Sequence, residues 1–503
     1  MHKMASFDKL AIKPSRRRIN NWSNTLACYP GLVFEPTSAE EVQLIVNEAR
    51  KQGRRIRPVG EHASPGEAFM TGGDDWMLRM SRIDHLNIDK QSRKATIGTG
   101  VTIRRANKEL YEQGLSFPVI GSIDEISVGG LFAAADHGSS MSHASSGERA
   151  VACTLVTADG RIRTVHRDAE DLDEANLFRA TGSGGGATGI IIDITFELDD
   201  AFGLTATYEE ICVRELLKKG NEKGGLIDLA KRNEYVKIWY FPNTTWPGST
   251  QNDAILWGAD KTAPPPYPKP NTATQDLQKK MIHILHATGV FICTYLLTSL
   301  MPRFNMVLRY FQARGLPMKQ EPIAGPVAQL MDCLYWQLVQ EWAVPIAKED
   351  NDGAIQALRD LLDFLDRDKV IGGGLTAPFE IRFSRCADTF WLSPLSHKSA
   401  EAVIWIEPIV YKPLNLPVPE RYERLFEILA HIGRKYGGKP HIAKPRPPMS
   451  AGETRKMYEH IDDWNKTVRN VDPQGMFWSD WLDKQFGLEQ ESQRQKMNGK
   501  ETF

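Results

Sequence analysis

Two glycine-rich stretches dominate this chain, and what flanks them decides which nucleotide fold it cannot adopt. The first runs Gly121-Ser122-Ile123-Asp124-Glu125-Ile126-Ser127-Val128-Gly129-Gly130 and continues through Ala133-Ala134-Ala135-Asp136-His137-Gly138-Ser139-Ser140. The second is Gly182-Ser183-Gly184-Gly185-Gly186-Ala187-Thr188-Gly189. Glycine lets backbone N–H groups approach a ligand closely and take positive φ, so repeated clusters suit main-chain wrapping of an anionic cofactor. Gly182 to Ala187 spells G-x-G-x-x-A, a fingerprint that needs a strand before it and a helix after it. Here residues 174–180 read as helix and residues 190–196 as strand. The order is reversed, and a Rossmann unit is excluded.

At 503 residues the chain has room for two or three domains with substantial cores. Its 62 basic and 63 acidic side chains nearly cancel, so no global field favours nucleic acid or an anionic membrane. Six cysteines (Cys28, Cys153, Cys212, Cys293, Cys333, Cys386) lack C-x-x-C spacing, which argues against a structural zinc and a disulfide framework; no metal site is expected. The polar, basic N-terminus lacks the apolar stretch of a signal peptide, so an intracellular, reduced, non-secreted protein is expected.

Local signals place the first elements. Residues 33–36 read as a strand, and Ser38 with Glu41 opens a helix that Gly53 closes. Residues 55–59 form the next strand, before a loop from Gly60 to Gly73. Residues 95–99 read as strand and 103–113 as amphipathic helix. Ala158-Asp159-Gly160 joins strands 153–157 and 161–165 in a hairpin. Further on, Pro264-Pro265-Pro266 and Pro268 mark a stiff loop. Residues 281–301 carry no Asp, Glu, Lys or Arg, a length that suits a membrane-crossing helix. His283, His286 and several Thr and Ser make it a poor hydrocarbon segment. A helix packed on the protein, one lying in a membrane surface and a span all stay open.

Taken together, these segments resemble the FAD-dependent aldonolactone oxidoreductases of the vanillyl-alcohol oxidase superfamily, the group of L-gulonolactone and D-arabinono-lactone oxidases. The resemblance rests on ordered anchors: residues 36–42, Val59-Gly60, Val128-Gly129-Gly130, His137-Gly138, residues 155–160, Phe178-Arg179-Ala180 and residues 186–189. Towards the C-terminus it rests on residues 341–345, Glu380-Ile381-Arg382-Phe383, Pro440-His441-Ile442-Ala443-Lys444 and residues 472–477. It implies an α+β fold: an N-terminal arm (1–25), a two-subdomain PCMH-type FAD-binding domain (26–200), an α+β substrate or cap domain (201–487) whose end returns to the FAD domain, and a polar tail (488–503). It also implies flavin contacts at Gly121, Ser122, Gly129, Gly130, His137, Gly138, Ser139, Gly186, Gly189 and Ile190, with Ile192 toward the adenine. The loop Val59, Gly60, Glu61, His62, Ala63, Ser64 joins this cofactor set.

Many relatives carry Gly-x-Gly-His-Ser in that loop, and the histidine bonds covalently to the flavin. Gapless alignment puts Ala63 at the tether position and His62 one residue early, so non-covalent FAD is expected. Glu380 and Arg382 share one face of a strand by alternation, so Arg382 can present its guanidinium to a substrate oxygen. Lys444 is the family-matched cation for the flavin or the substrate. Glu407, on a strand-like run, is a general-base candidate. Asp136 and Ile442 depart from the small or hydroxyl residue and the tryptophan common at their positions.

The expected activity is oxidation of a CH–OH group of an aldono-1,4-lactone or related polyol, with oxygen or another acceptor reoxidising the flavin. Two alternatives stay open: a flavoenzyme acting on a secondary metabolite, and a membrane-associated flavin-binding protein without turnover.

Overall fold

The computed structural model describes residues 7–486 apart from 221, 243–251, 316–318, 332–336, 349–351, 376–377, 413 and 415. The polar tail, Cys333 and the first six residues of the N-terminal arm lie outside the described residues.

A three-stranded and a five-stranded sheet carry the amino-terminal half, with two short two-stranded pairs beside them. Leu32–Phe34, Trp76–Arg79 and Ile56–Val59 pair in parallel, with Trp76–Arg79 central. Five antiparallel strands make the second sheet, in the order Ile162–His166, Ala150–Val156, Ile190–Glu197, Lys94–Gly98 and Leu86–Asp89. The local signals act as their chemistry dictates. Ser38 caps the helix Ala39–Gln52 by accepting from the Glu41 amide, and Gly53 ends it at φ 62°. Glu41 does not reach back to Ser38; its carboxylate binds the amides of Ala11 and Thr37 and so ties down the arm. The helix Leu172–Thr181 precedes the second glycine stretch and the strand Ile190–Glu197 follows it, opposite to a Rossmann unit.

The carboxy-terminal half is built on one large antiparallel sheet. Its strands run Ile323–Ala324, Gly203–Ile211, Ala254–Thr262, Tyr235–Tyr240, Phe379–Arg385, Ala400–Tyr411, Trp342–Ala347 and Lys439–Pro440, and Gln337–Val339 also pairs with Ala400–Tyr411. The helices Asp352–Arg367 and Glu420–Lys435 bury Leu358, Leu361, Leu425 and Leu429 in one core with sheet residues Ile381, Phe383, Ile404 and Ile406. The other face is left for the amino-terminal half. There, the Ser140 amide donates to Phe383 O at 2.7 Å and the Phe383 amide to Ser139 Oγ at 3.1 Å, which fixes the end of the first glycine stretch against the sheet. The C-terminal segment then packs back on the amino-terminal half: the Ile56 amide donates to Met476 O, and Arg55 pairs with Asp480.

Residues 281–301 do not form one helix. A helix Ala273–Phe291 gives way to a π turn at Ile292–Leu296 and a 3₁₀ turn at Thr298–Leu300, before a helix Met301–Gly315. Pro302, lacking an N–H, sits in the first turn of that last helix, where the missing donor costs nothing. No helix among the described residues is long and apolar enough to cross a membrane.

Candidate active site and cofactor cleft

A cleft opens where the glycine-rich stretches face the large sheet. The amino-terminal half contributes residues 57–65, Ser122, Gly129, Gly130, Asp136, His137, Gly186 and Gly189. The carboxy-terminal half contributes Val339, Glu380, Arg382, Glu407, Ile409, Ile442 and Lys444. The expected positions Gly121, Gly138, Ser139 and Ile190 do not line it. Strand alternation turns Ile190 into the core and Ile191 to the cleft; Ile192 likewise packs in the core. Ser139 spends its hydroxyl on Val236 O and the Phe383 amide. A Cβ on Gly138 would press on Val119 and Ile120, and one on Gly121 would meet the Asp136 carboxylate. These two glycines allow close packing behind the cleft wall.

Glu380 and Arg382 lie on Phe379–Arg385 and Glu407 lies opposite on Ala400–Tyr411, with Glu380 and Glu407 directly paired in register. Arg382 Nη2 is 3.1 Å from Glu341 Oε1 and also contacts Glu407; its Nε is 3.4 Å from Glu380 Oε2. Lys444 Nζ is 2.6 Å from Glu341 Oε2 and contacts Glu407. His137 Nε2 is 3.2 Å from the same Glu341 oxygen, and its ring stacks on Trp405 at 3.6 Å and 5°. His137, Glu341 and His441 bring three potential ligand atoms within 4.8 Å of one another, but the Lys444 ammonium already occupies the shared Glu341 oxygen. The group therefore reads as an ion-pair network.

Its electrostatics separate the carboxyls. Burial works against the ionised Glu341, but Lys444, His137 and Arg382 outweigh it and hold the group well below the usual carboxylate range. Burial dominates at Glu407 and pushes it up to about 7 against the pull of Arg382 and Lys444. Burial likewise raises Asp136 to about 6. Arg382 is held well above its ordinary value by Glu380, Glu407 and Glu341 despite its burial. Lys444 is raised by Glu341 and Glu407 in the same way. Burial keeps His137 and His441 below the usual histidine value, against the pull of Glu341. Three carboxyls thus contact two buried cations, and Glu407 is the one among them that burial pushes up to about 7.

Arg57 is a cleft residue that sequence reasoning missed. It is 7 % exposed, donates from Nε to Ala68 O at 2.7 Å and from Nη1 to Gly185 O at 2.8 Å, and lies 5.1 Å over the Trp481 ring. No carboxylate stands within ion-pair distance of it among the described residues, and burial lowers its pKa to about 10. A buried cation without a counter-ion, lining a cleft walled by glycine backbone, fits an anionic dinucleotide. Gly186, beside it at φ +80°, takes a backbone conformation that side-chain-bearing residues rarely adopt. Glu341 was also missed as a site residue, although the motif holding it was singled out.

Comparison with known proteins agrees with this geometry. A family model described as FAD binding domain matches residues 30–166, and one described as D-arabinono-1,4-lactone oxidase matches residues 194–485. The chain belongs to the D-arabinono-1,4-lactone oxidase family. It is an FAD-dependent oxidoreductase acting on a CH–OH donor. It is 27% identical to L-gulonolactone oxidase of Scyliorhinus torazame, across 93% of this chain and 98% of the relative. It is 30% identical to D-arabinono-1,4-lactone oxidase of Eremothecium gossypii, across 92% and 94%. The fold is shared with cholesterol oxidase of Brevibacterium sterolicum at a TM-score of 0.72 and 16% identity, covering 94% of this chain and 97% of that one. Xylooligosaccharide oxidase of Myceliophthora thermophila shares it at 0.63 and 14%, covering 92% and 93%.

Proposed function

We propose that this protein oxidises the carbinol of an aldono-1,4-lactone within the cleft, with oxygen as the final acceptor. The observation that carries this reading is the convergence of Arg382, Lys444 and Glu407 on one buried wall facing the glycine loops. Bound FAD supplies the hydride acceptor. Arg382 is fixed by three carboxylates and offers its guanidinium to the substrate oxygen, where negative charge develops as hydride departs. Glu407, poised near neutrality, takes the hydroxyl proton. Lys444 keeps its charge and holds Glu407 and Glu341 in place. Arg57 answers the pyrophosphate charge, and the backbone of Gly60, Gly129, Gly130, Gly186 and Gly189 lines the cleft where the dinucleotide would lie.

The change from the small sheets to the large one supports a division into an FAD domain (26–200) and a cap (201–487). Ala63 presents a methyl group where the family resemblance places the tethering histidine, which supports non-covalent FAD. Stopped-flow mixing with a panel of γ-lactones tests the activity. The oxidised flavin band should bleach with at least one lactone, and a band unchanged by every lactone would count against the reading.

A second reading concerns the partner surface. On the helix Ala273–Phe291, Leu277, Met281, Ile282, Ile284 and Leu285 are exposed, and beyond it Leu296 and Leu297 are exposed too. Lys279, Lys280 and Arg303 stand close by in sequence. Contiguous exposed apolar side chains edged by cations suit the interfacial layer of an anionic membrane.

A further inference from the structure

We propose that Asp136 makes FAD retention pH-dependent: its protonated carboxyl is compatible with the bound dinucleotide, and its ionised carboxylate loosens the grip. The geometry is unusual for an acidic residue. Asp136 follows Ala135, which holds a left-handed conformation at φ 57°, and this turn wedges the carboxyl against the first glycine-rich stretch. A Cβ on Gly121 would lie only 2.5 and 2.6 Å from the two carboxylate oxygens. Residue 121 therefore has to be glycine for the acid to fit, and the acid lies directly against the backbone behind the cleft wall. Asp136 itself lines the cleft. Its Oδ2 has no hydrogen-bond partner among the described residues.

Among the described residues no cation is paired with it directly. The charged groups that act on Asp136 are Arg382, Lys444 and Glu341, and the Gly121 amide points toward it. Both cations are engaged by other carboxylates: Arg382 with Glu341, Glu380 and Glu407, Lys444 with Glu341 and Glu407. Glu341 adds repulsion, and the neighbouring His137 turns its ring nitrogens to Gly138 O and Glu341 instead. Desolvation leaves the free site titrating at about 6. A dinucleotide with a charged pyrophosphate removes water from the cleft and adds negative charge, and both effects favour the protonated acid. Binding then takes up a proton, so affinity must fall as pH rises above the free-site value.

The test uses purified holoenzyme, serially diluted at pH 5, 6, 7 and 8, with released FAD read by its fluorescence. For one coupled proton, the dissociation constant should rise about tenfold between pH 5 and pH 7. Asp136→Asn should hold a nearly constant value across the range. A wild-type constant that does not change with pH, FAD that is never released, or an Asp136→Asn protein that keeps the tenfold rise would each overturn the proposal. Should Asp136→Asn fail to fold, Glu407→Gln decides. Glu407 is the other cleft acid titrating in this range; a slope that survives its removal supports Asp136, and a slope that disappears assigns the proton to Glu407 instead.

Discussion

Lys444 and Glu341 meet at 2.6 Å although 103 residues separate them, and Glu341 is fully enclosed. The same carboxylate reaches Arg382 and His137. Removing it strands two buried cations with Glu407 and Glu380 as their remaining partners. Breaking a buried ion pair by deleting one member costs about 3–5 kcal/mol. Glu341→Ala should therefore lower unfolding free energy by about that amount in chemical denaturation. A loss under about 1 kcal/mol would mean the network is not as dry as its burial implies.

Turnover should follow the protonation of Glu407. In the proposed base role the active form is the carboxylate, and its pKa is raised to about 7, so the active fraction should grow as pH rises through that value. The rate of flavin bleaching under saturating lactone should be low at pH 5, climb through pH 7 and level off above pH 8. Glu407→Gln should reduce it by about 10²–10⁴-fold and remove the rising limb. A rate that falls across the same interval would assign the proton to another group.

The sequence made the amino-terminal half readable because its signals are local. Ser38, Gly53 and the Asp159-Gly160 turn each act on backbone within a few residues, and the Glu380–Arg382 pair follows from strand alternation alone. Glu341 escaped notice as a site residue because its meaning depends on Lys444 and Arg382, both far along the chain. Arg57 escaped because an arginine in a short strand reads as an outward-facing cation, and only the packing of Trp481 and Gly185 around it shows otherwise. The uncharged segment 281–301 stayed open for another reason. Hydropathy reports the lack of charge, whereas the break at Leu297 (φ −132°, ψ 62°) is a backbone event.

The flavin should leave the protein on acid precipitation, colouring the supernatant. Ala63 cannot form the bond. His62 adopts φ 53°, its ring lies 5.9 Å from that of Phe69, and burial with the nearby Arg79 and Arg17 charges depresses it to about 4. Flavin retained in the pellet of the wild type and released from His62→Ala would show that this histidine is the tether after all.

Arg57→Met should weaken FAD binding more than it weakens folding. Hydrogen bonds to a charged group are worth about 1.5–3 kcal/mol, or roughly 10- to 100-fold in affinity. The loss should shrink as salt is raised, because screening reduces what the cation contributes in the wild type. Arg57→Lys should recover part of the affinity by restoring charge without the planar fork. Equal FAD affinity in wild type and Arg57→Met, measured by dilution of holoenzyme, would remove the pyrophosphate role.

The exposed helix Ala273–Phe291 gives the last prediction. Ile282 and Leu285 are 64% and 70% exposed and lie three residues apart, on neighbouring turns of one face. Each large apolar side chain moved out of water contributes about 1.5–3 kcal/mol. The wild type should therefore float with vesicles containing anionic phospholipid, and Ile282→Asp with Leu285→Asp should leave most of it at the bottom of the gradient. Raising salt should weaken flotation only in part, since the apolar contribution is not screened. Wild type that never floats, or a double variant that floats as well as it does, would instead leave the patch to a protein partner.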